Sequence, residues 1–276
     1  MELTEGQTAV VTGAASGMGR AFADRFGELG LNVVLADVEE PRLVEAAGQM
    51  RESGATVLEV VTDVASAESF DALAAKAFDA FGSVNVLCLN AGVGGGGPIA
   101  ELTTNDWQWV LGVNLWGVIH GLRAFLPTML ASGEPGHIVS TASMAGMMAG
   151  PMMGPYNATK FAVVAIMETL RAELDMTGAA VSCSVLCPGF VNTNIMDSAR
   201  NRPADLAGRP DALDAADPDQ RAMFKAMLEG GKQPHEVARM VEAAIRSKQL
   251  HIFTDDQFLP PFQARVQTIV DSFPKS

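Results

Sequence analysis

The sequence predicts a single-domain α/β fold: a doubly wound sheet of about seven parallel strands with helices on both faces. Three observations predict it. Short β-branched apolar runs alternate with helical runs along nearly the whole chain. The strand-like runs are short and mostly apolar, as strands covered on both faces are. A glycine-rich turn follows the first strand, and an acidic residue ends the second. The 276 residues, 48% apolar and 18% charged, suffice for one large domain with a substantial core.

Residues 8–12 are the first strand, bounded by Gly6 and Gly13. Gly13, Ser16, Gly17, Met18 and Gly19 lie in the turn that opens a helix to about residue 29. Residues 32–36 are the second strand, ending in Asp37. Glycine lets the backbone approach a pyrophosphate, and the helix N-terminus offers it free N–H groups and a positive dipole end. The Asp37 carboxylate can accept hydrogen bonds from a ribose diol. Strand, turn, helix and acid at this spacing are far more specific than a bare glycine repeat. A 2′-phosphate would be repelled by Asp37, and neither Ser16 nor Val38 is basic, so the pattern selects NAD over NADP. Arg20 and Arg42 could compensate such a phosphate, though each also reads as a surface helix residue.

The alternation continues. Residues 41–53 are helical and 56–61 a strand, followed by Asp63 and Val64. Asp63 either bonds an adenine amino group or caps the helix over 66–81. Residues 84–89 are a buried strand, and Asn90, Ala91, Gly92 and the glycine run 94–97 come next. One long helix covers 106–131, interrupted near Pro127. Asn114, an amide inside it, needs a partner, either backbone or a site water. Residues 137–141 are a strand leading to Ser143 and Met144, and a helix carrying Tyr156 and Lys160 runs to about 175. Residues 181–186 are a strand, followed by Pro188, Gly189, Phe190, Val191 and Thr193. Residues 194–231, rich in Asp, Ala, Arg and Pro, read as a mobile substrate lid with one or two short helices. A helix over 233–248, a strand over 250–253 and a helical stretch over 258–273 complete the chain.

Tyr156 is the sole tyrosine and stands four residues before Lys160, so the two share a helix face. A neighbouring cation favours the ionised form, so Lys160 should draw the phenol down from ~10 and make it a usable base. Alone, the pair reads more readily as a buried tyrosine with a snorkelling lysine. The convergence of motifs changes this. Gly13, Asp37, Asp63, Asn90, Ser143 and Pro188 all follow strand ends, and in an open α/β sheet those ends border the ligand crevice.

With these residues in place, the chain resembles a short-chain dehydrogenase/reductase of the compact single-domain branch, a family with a Rossmann-type sheet. The resemblance rests on Thr12-Gly13-x-x-x-Gly17-x-Gly19, Asp37, Asp63, Asn90-Ala91-Gly92, Asn114, Ser143, Tyr156-x-x-x-Lys160 and Pro188-Gly189-x-Val191-x-Thr193. It runs from about residue 7 to 193 and more loosely through 250. Leu89 departs from it, standing where the family usually has a second asparagine. The resemblance implies a catalytic tetrad of Asn114, Ser143, Tyr156 and Lys160. Tyr156 would be the general acid/base and Ser143 the donor to the substrate oxygen. Lys160 would hold the nicotinamide ribose, and Asn114 a proton-relaying water. It further implies cofactor contacts from the glycine turn, Asp37, Asp63-Val64, Asn90-Ala91-Gly92, Tyr156, Lys160, Pro188, Gly189, Val191 and Thr193, with Pro188, Val191 and Thr193 holding the nicotinamide carboxamide.

Between Ser143 and Tyr156 lie Met144, Met147, Met148, Met152 and Met153 and no charged residue, and in the family this segment borders the substrate pocket. Methionine fills irregular apolar shapes. The expected substrate is a neutral, bulky, lipophilic secondary alcohol or its ketone: aromatic, terpenoid or steroid-like. Ser143, Met144, Met153, Tyr156, Phe190 and Met196 would line its pocket. The methionines fit core or subunit interface as well, and Arg200 and Arg202 could instead meet a carboxylate.

A net charge of −13 argues against nucleic acid or an anionic membrane surface as partner. Cys88, Cys183 and Cys187 read as reduced core residues of a cytoplasmic protein, and no metal site is expected. The first 13 residues lack the pattern of a signal peptide, and no apolar stretch approaches the ~20 residues of a spanning helix. The resemblance implies a homodimer or homotetramer paired through the helices from Asp106 and Pro155, where Trp107, Trp109 and Trp116 could contribute. Two other readings remain: a nucleotide-sugar epimerase or dehydratase of the same superfamily, and a non-enzymatic NAD-binding regulator.

Overall fold

The computed structural model describes residues 1–208 and 218–274. Its strands are β1 Thr8–Thr12, β2 Asn32–Asp37, β3 Val57–Val61, β4 Val86–Leu89, β5 Gly136–Thr141, β6 Val181–Cys187 and β7 His251–Phe253. All seven pair in parallel, in the order β3-β2-β1-β4-β5-β6-β7. The connecting helices are α1 Gly17–Glu28, α2 Glu40–Glu52, α3 Ala67–Phe81, α4 Thr104–Leu111, α5 Gly117–Ser132, α6 Gly154–Thr177, α7 Pro218–Glu229 and α8 Pro234–Ser247, and α9 Leu259–Asp271 follows β7. The doubly wound sheet expected from the sequence is present.

The strand pleat sends successive side chains to opposite faces. Val10, Val34, Leu87, Ile138 and Val185 pack with α3, α5 and α6 on one face. Their neighbours Ala9, Val33, Val86, Val139 and Leu186 pack with α1, α2 and α8 on the other. Both faces are covered, so the strands are mostly apolar, and the polar side chains they do bury, such as His137 and Ser184, bond each other at 2.8 Å. The strand order reverses between β1 and β4. Chains diverging there open a crevice beyond the carboxyl ends of both strands.

The helix expected over residues 106–131 is three pieces. A π-helical turn, Gly112–Trp116, separates α4 from α5, and Pro127 lies inside α5 without ending it. The wide turn accommodates one extra residue per turn, and Asn114 within it is buried. Taken together, Thr104–Ser132 is 29 residues, and an 18-residue window within it has a mean hydropathy of 1.3, a length and composition that the core helix of a soluble protein shares with a membrane span. Here α4 packs on α6, and α5 on α3 and β4.

After β6 the chain makes 3₁₀ turns over Ile195–Asn201 and Ala204–Leu206 before α7, more helix than expected. Residues 209–217 of the segment read as a lid lie outside the described residues. Cys88, Cys183 and Cys187 are free and buried, and burial pushes all three thiols up.

Candidate active site

The glycine turn and α1 form one wall of the crevice. Ser16, the N-cap of α1, is extended and makes no side-chain capping bond, so the first-turn N–H groups keep their donor capacity. Close packing makes Gly19 obligatory: a Cβ there would stand 2.1 Å from the Gly13 carbonyl oxygen and 2.6 Å from Asn90 Nδ2. Gly19→Ala is therefore expected to displace α1 from the turn and to weaken NADH binding at least tenfold (about 1.4 kcal/mol), measured by fluorescence titration. Unchanged affinity in the variant would contradict this steric reading.

Asp37 stands beside the turn. Its Oδ2 accepts the Ala15 N–H at 2.9 Å and its Oδ1 the Glu39 N–H at 3.0 Å. A carboxylate has about four acceptor sites, so capacity remains for a diol. The cradle and the acid thus fit a dinucleotide. Asp63 is exposed and accepts the Ala65 N–H at 2.9 Å, while Ser66 Oγ caps α3 by accepting the Ser69 N–H. Val64 is buried beneath Gly117.

Asn90 and Ala91 donate their backbone N–H groups to Thr12 Oγ1 at 2.9 and 3.1 Å. Asn90 Nδ2 donates to the Thr12 carbonyl at 3.1 Å, and Thr141 Oγ1 donates to Asn90 Oδ1 at 3.1 Å. Asn90 therefore ties the ends of β1, β4 and β5 together. Leu89 needs no amide for this: it is buried, close to Gly121 and in the core with Phe70. Gly92 brings the same turn to the chemistry, since a Cβ there would lie 3.4 Å from Asn114 Oδ1 and 3.6 Å from Lys160 Nζ.

Ser143 follows β5 and accepts the Ala145 N–H on its Oγ at 3.1 Å. The turn it opens lies directly on α6, with the Gly146 Cα facing the Lys160 backbone. Tyr156 and Lys160 sit one helical turn apart on α6, with Lys160 Nζ 5.4 Å from the Tyr156 ring centroid. Lys160 is buried and donates to the Thr141 carbonyl at 2.9 Å. Asn114 Oδ1 accepts the Val93 N–H at 2.8 Å, and its Nδ2 donates to the Val93 carbonyl at 2.9 Å. Backbone is thus one of its partners, and Thr159 Oγ1 at 3.4 Å is another.

The electrostatics run against the sequence expectation. Burial pushes the Tyr156 phenol above its usual value, and the Ser143 hydroxyl offsets part of this. Burial lowers Lys160 to about 8. Desolvation is the largest influence on both groups, and it disfavours the phenolate and the ammonium alike.

The methionines divide. Met144 is buried, and Met147 and Met148 pack on the sheet core, as the core reading allows. Met153 stays partly exposed and bridges to Gly97, with Met152 beside it at a φ of 64°. Met196 is half-buried in the segment after β6. Phe190 packs its ring against Phe224 of α7 and Phe258, at centroid distances of 6.0 and 5.6 Å. Phe224 and Phe258 escaped the sequence reading because no local pattern links them to residue 190. Arg200 and Arg202 are committed elsewhere. Arg200 pairs with Glu39 at 2.6 Å, and Arg202 pairs with Asp106 at 2.8 Å and lies over the Trp109 ring. Ser198 Oγ accepts the Gly94 N–H at 3.0 Å, so this segment bridges the end of β2 and the loop after β4. Val191 is buried, and Thr193 approaches the Gly17 turn within 3.3 Å of where a Cβ would stand.

A seven-stranded Rossmann-like sheet with a Ser-Tyr-Lys group at its carboxyl edge defines a nicotinamide-dependent oxidoreductase. The short chain dehydrogenase family matches residues 7–204, and the chain belongs to it. It is 34% identical over 267 residues to the C alpha-dehydrogenase of Sphingobium sp., covering 96% of this chain and 86% of that one. It is 41% identical over 195 residues to the 1-deoxy-11-beta-hydroxypentalenate dehydrogenase of Streptomyces arenae, 69% of each chain. A short chain dehydrogenase/reductase of Burkholderia phymatum in complex with NAD superposes with a TM-score of 0.93 at 42% identity over 100% of both chains. An actinorhodin polyketide ketoreductase with NADPH superposes with a TM-score of 0.77 at 31% identity, over 90% of this chain and 95% of that one.

Proposed function

We propose that this protein is an NAD-dependent alcohol dehydrogenase/ketone reductase. Its substrate is a neutral, bulky, lipophilic secondary alcohol of aromatic, terpenoid or steroid-like type, or the matching ketone. The observation that carries this reading is the meeting of Ser143, Tyr156 and Lys160 with the Asn90-Ala91-Gly92 turn, beside a glycine cradle bordered by Asp37. The NAD complex of the Burkholderia relative and the terpenoid-type name of the Streptomyces relatives support it.

The nicotinamide, when bound, supplies the hydride chemistry. The chain's own residues manage the proton. Tyr156 Oη takes it from the alcohol in oxidation and returns it to the ketone in reduction. Ser143 Oγ donates to the substrate oxygen as negative charge grows there. Lys160 supplies positive charge next to the phenol, and Asn114 fixes the Val93 backbone beside it. The high phenol and low ammonium of the unliganded site leave Tyr156 protonated at neutral pH, so oxidation requires added positive charge beside it. The segment 194–231 serves as a lid, and the enzyme works in the cytoplasm as a homodimer or homotetramer.

Asp37 sets the cofactor choice. The two arginines nearest the turn each face an acid, Arg20 pairing with Asp24 at 2.8 Å and Arg42 with Glu39 at 3.4 Å. NADH formation is the test, with NAD and NADP offered separately against a panel of lipophilic secondary alcohols. Turnover is expected with NAD. Asp37→Ser should raise the NADP-to-NAD ratio of kcat/KM about tenfold or more by removing charge repulsion. Wild-type turnover with NADP alone overturns the Asp37 assignment. Bound NADH without turnover on any alcohol favours the regulator.

A further inference from the structure

The short segment after β7 closes on the loop that follows β6. Gly189 N–H donates to Thr254 Oγ1 at 2.9 Å, and Thr254 Oγ1 donates to Asp255 Oδ2 at 2.8 Å. Thr254 is 3% exposed. A Cβ on Gly189 would stand 2.5 Å from Asp255 Oδ2 and 2.7 Å from the Phe258 ring, so the segment presses on Gly189 directly. The chain of contacts runs on. The carbonyl of Pro188 accepts the Met144 N–H at 2.9 Å, and Met144 follows Ser143. One hydrogen-bonded line therefore joins Asp255, Thr254, Gly189, Pro188 and the Ser143 turn. Asp255 Oδ1 is buried without a hydrogen-bond partner among the described residues. Burying such an oxygen costs stability, which a purely structural cap would avoid by using a neutral group.

We propose that Thr254 and Asp255 are positioning residues for the nicotinamide half of the site. Thr254 fixes the Gly189 amide, Asp255 fixes the rotor of the Thr254 hydroxyl, and the two together hold the loop Pro188–Thr193 in register with Ser143. The inference rests on the cofactor reading above and deepens it. It assigns a role to a strand end that carries none of the residues expected to touch ligand.

The test separates positioning from general damage by comparing two ligands. NADH carries the nicotinamide, and ADP-ribose is the same molecule without it. Affinities for both are measured by calorimetry on wild type, Thr254→Val, Thr254→Ser, Asp255→Asn and Asp255→Leu, with the melting temperature of each recorded. Thr254→Val is expected to weaken NADH about tenfold by leaving the Gly189 amide unsatisfied, with ADP-ribose changed less than about twofold. Thr254→Ser, which keeps the hydroxyl, should restore NADH binding. Equal weakening of both ligands, or no weakening of either, overturns the proposal. If Thr254→Val does not fold, Asp255→Leu decides by the same comparison, because it removes both acceptor oxygens, whereas Asp255→Asn keeps one and should bind NADH as wild type does. Wild-type protein that binds neither ligand overturns the cofactor reading itself, a result distinct from failure of the positioning role.

Discussion

Tyr156→Phe is expected to lower turnover about 10²- to 10⁴-fold, the usual contribution of a positioned acid/base, and to leave NADH affinity nearly unchanged. The substitution removes one oxygen and keeps the ring on α6, so packing next to Lys160 survives. Because the chain has a single tyrosine, an ultraviolet pH titration of the folded protein follows this phenol alone. Without cofactor the midpoint should lie above the ordinary ~10, since burial dominates. With NAD bound it should fall, because added positive charge favours the phenolate. A midpoint that stays high with NAD bound, or a Phe variant with wild-type turnover, removes Tyr156 from the base role.

Lys160→Met should separate stability from activity. Folding lowers the Lys160 pKa from 10.5 to about 8. Below about pH 8 the residue is a cation in both folded and unfolded states, and the full burial penalty applies. Between 8 and 10.5 the unfolded chain binds the proton and the folded protein does not, so stability rises with pH across that window. Above it the penalty is gone. Met at 160 avoids the penalty, so the variant should be more stable than wild type at pH 7 by up to about 3 kcal/mol. The hydrogen bond from Lys160 to the Thr141 carbonyl is lost and offsets part of this. The gain should shrink toward pH 10.5, and turnover should collapse at every pH. Melting curves at pH 7 and pH 10.5 provide the check. A variant that melts below wild type at pH 7 shows that the Thr141 bond outweighs the burial cost.

Several features were legible in the sequence because they are short-range. Strand runs are continuous in sequence, and the spacing of Gly13, Gly17 and Gly19 before a helix is a local pattern. Tyr156 and Lys160 share a helix face by periodicity alone. The alternation of elements also fixed which residues follow strand ends, hence which edge of the sheet they share. Other errors came from competition that spacing does not encode. The helix break fell at Gly112–Trp116 rather than at Pro127, because a π-helical turn buries Asn114 against the Val93 backbone. Arg200 and Arg202 looked free for a substrate carboxylate until Glu39 and Asp106, each more than 90 residues away, were seen to hold them.

By itself, then, the chain determined its parallel sheet, its cofactor cradle and its Ser-Tyr-Lys group, because hydrophobic periodicity and turn chemistry act over a few residues. Only the tertiary structure decided the charge states and the supports. How far Tyr156 and Lys160 are desolvated depends on what covers them, and Asn90 and Thr254 find their partners only when distant strand ends are brought together. Desolvation and long-range hydrogen bonding are properties of the packed molecule, so a local reading of the chain could not supply them.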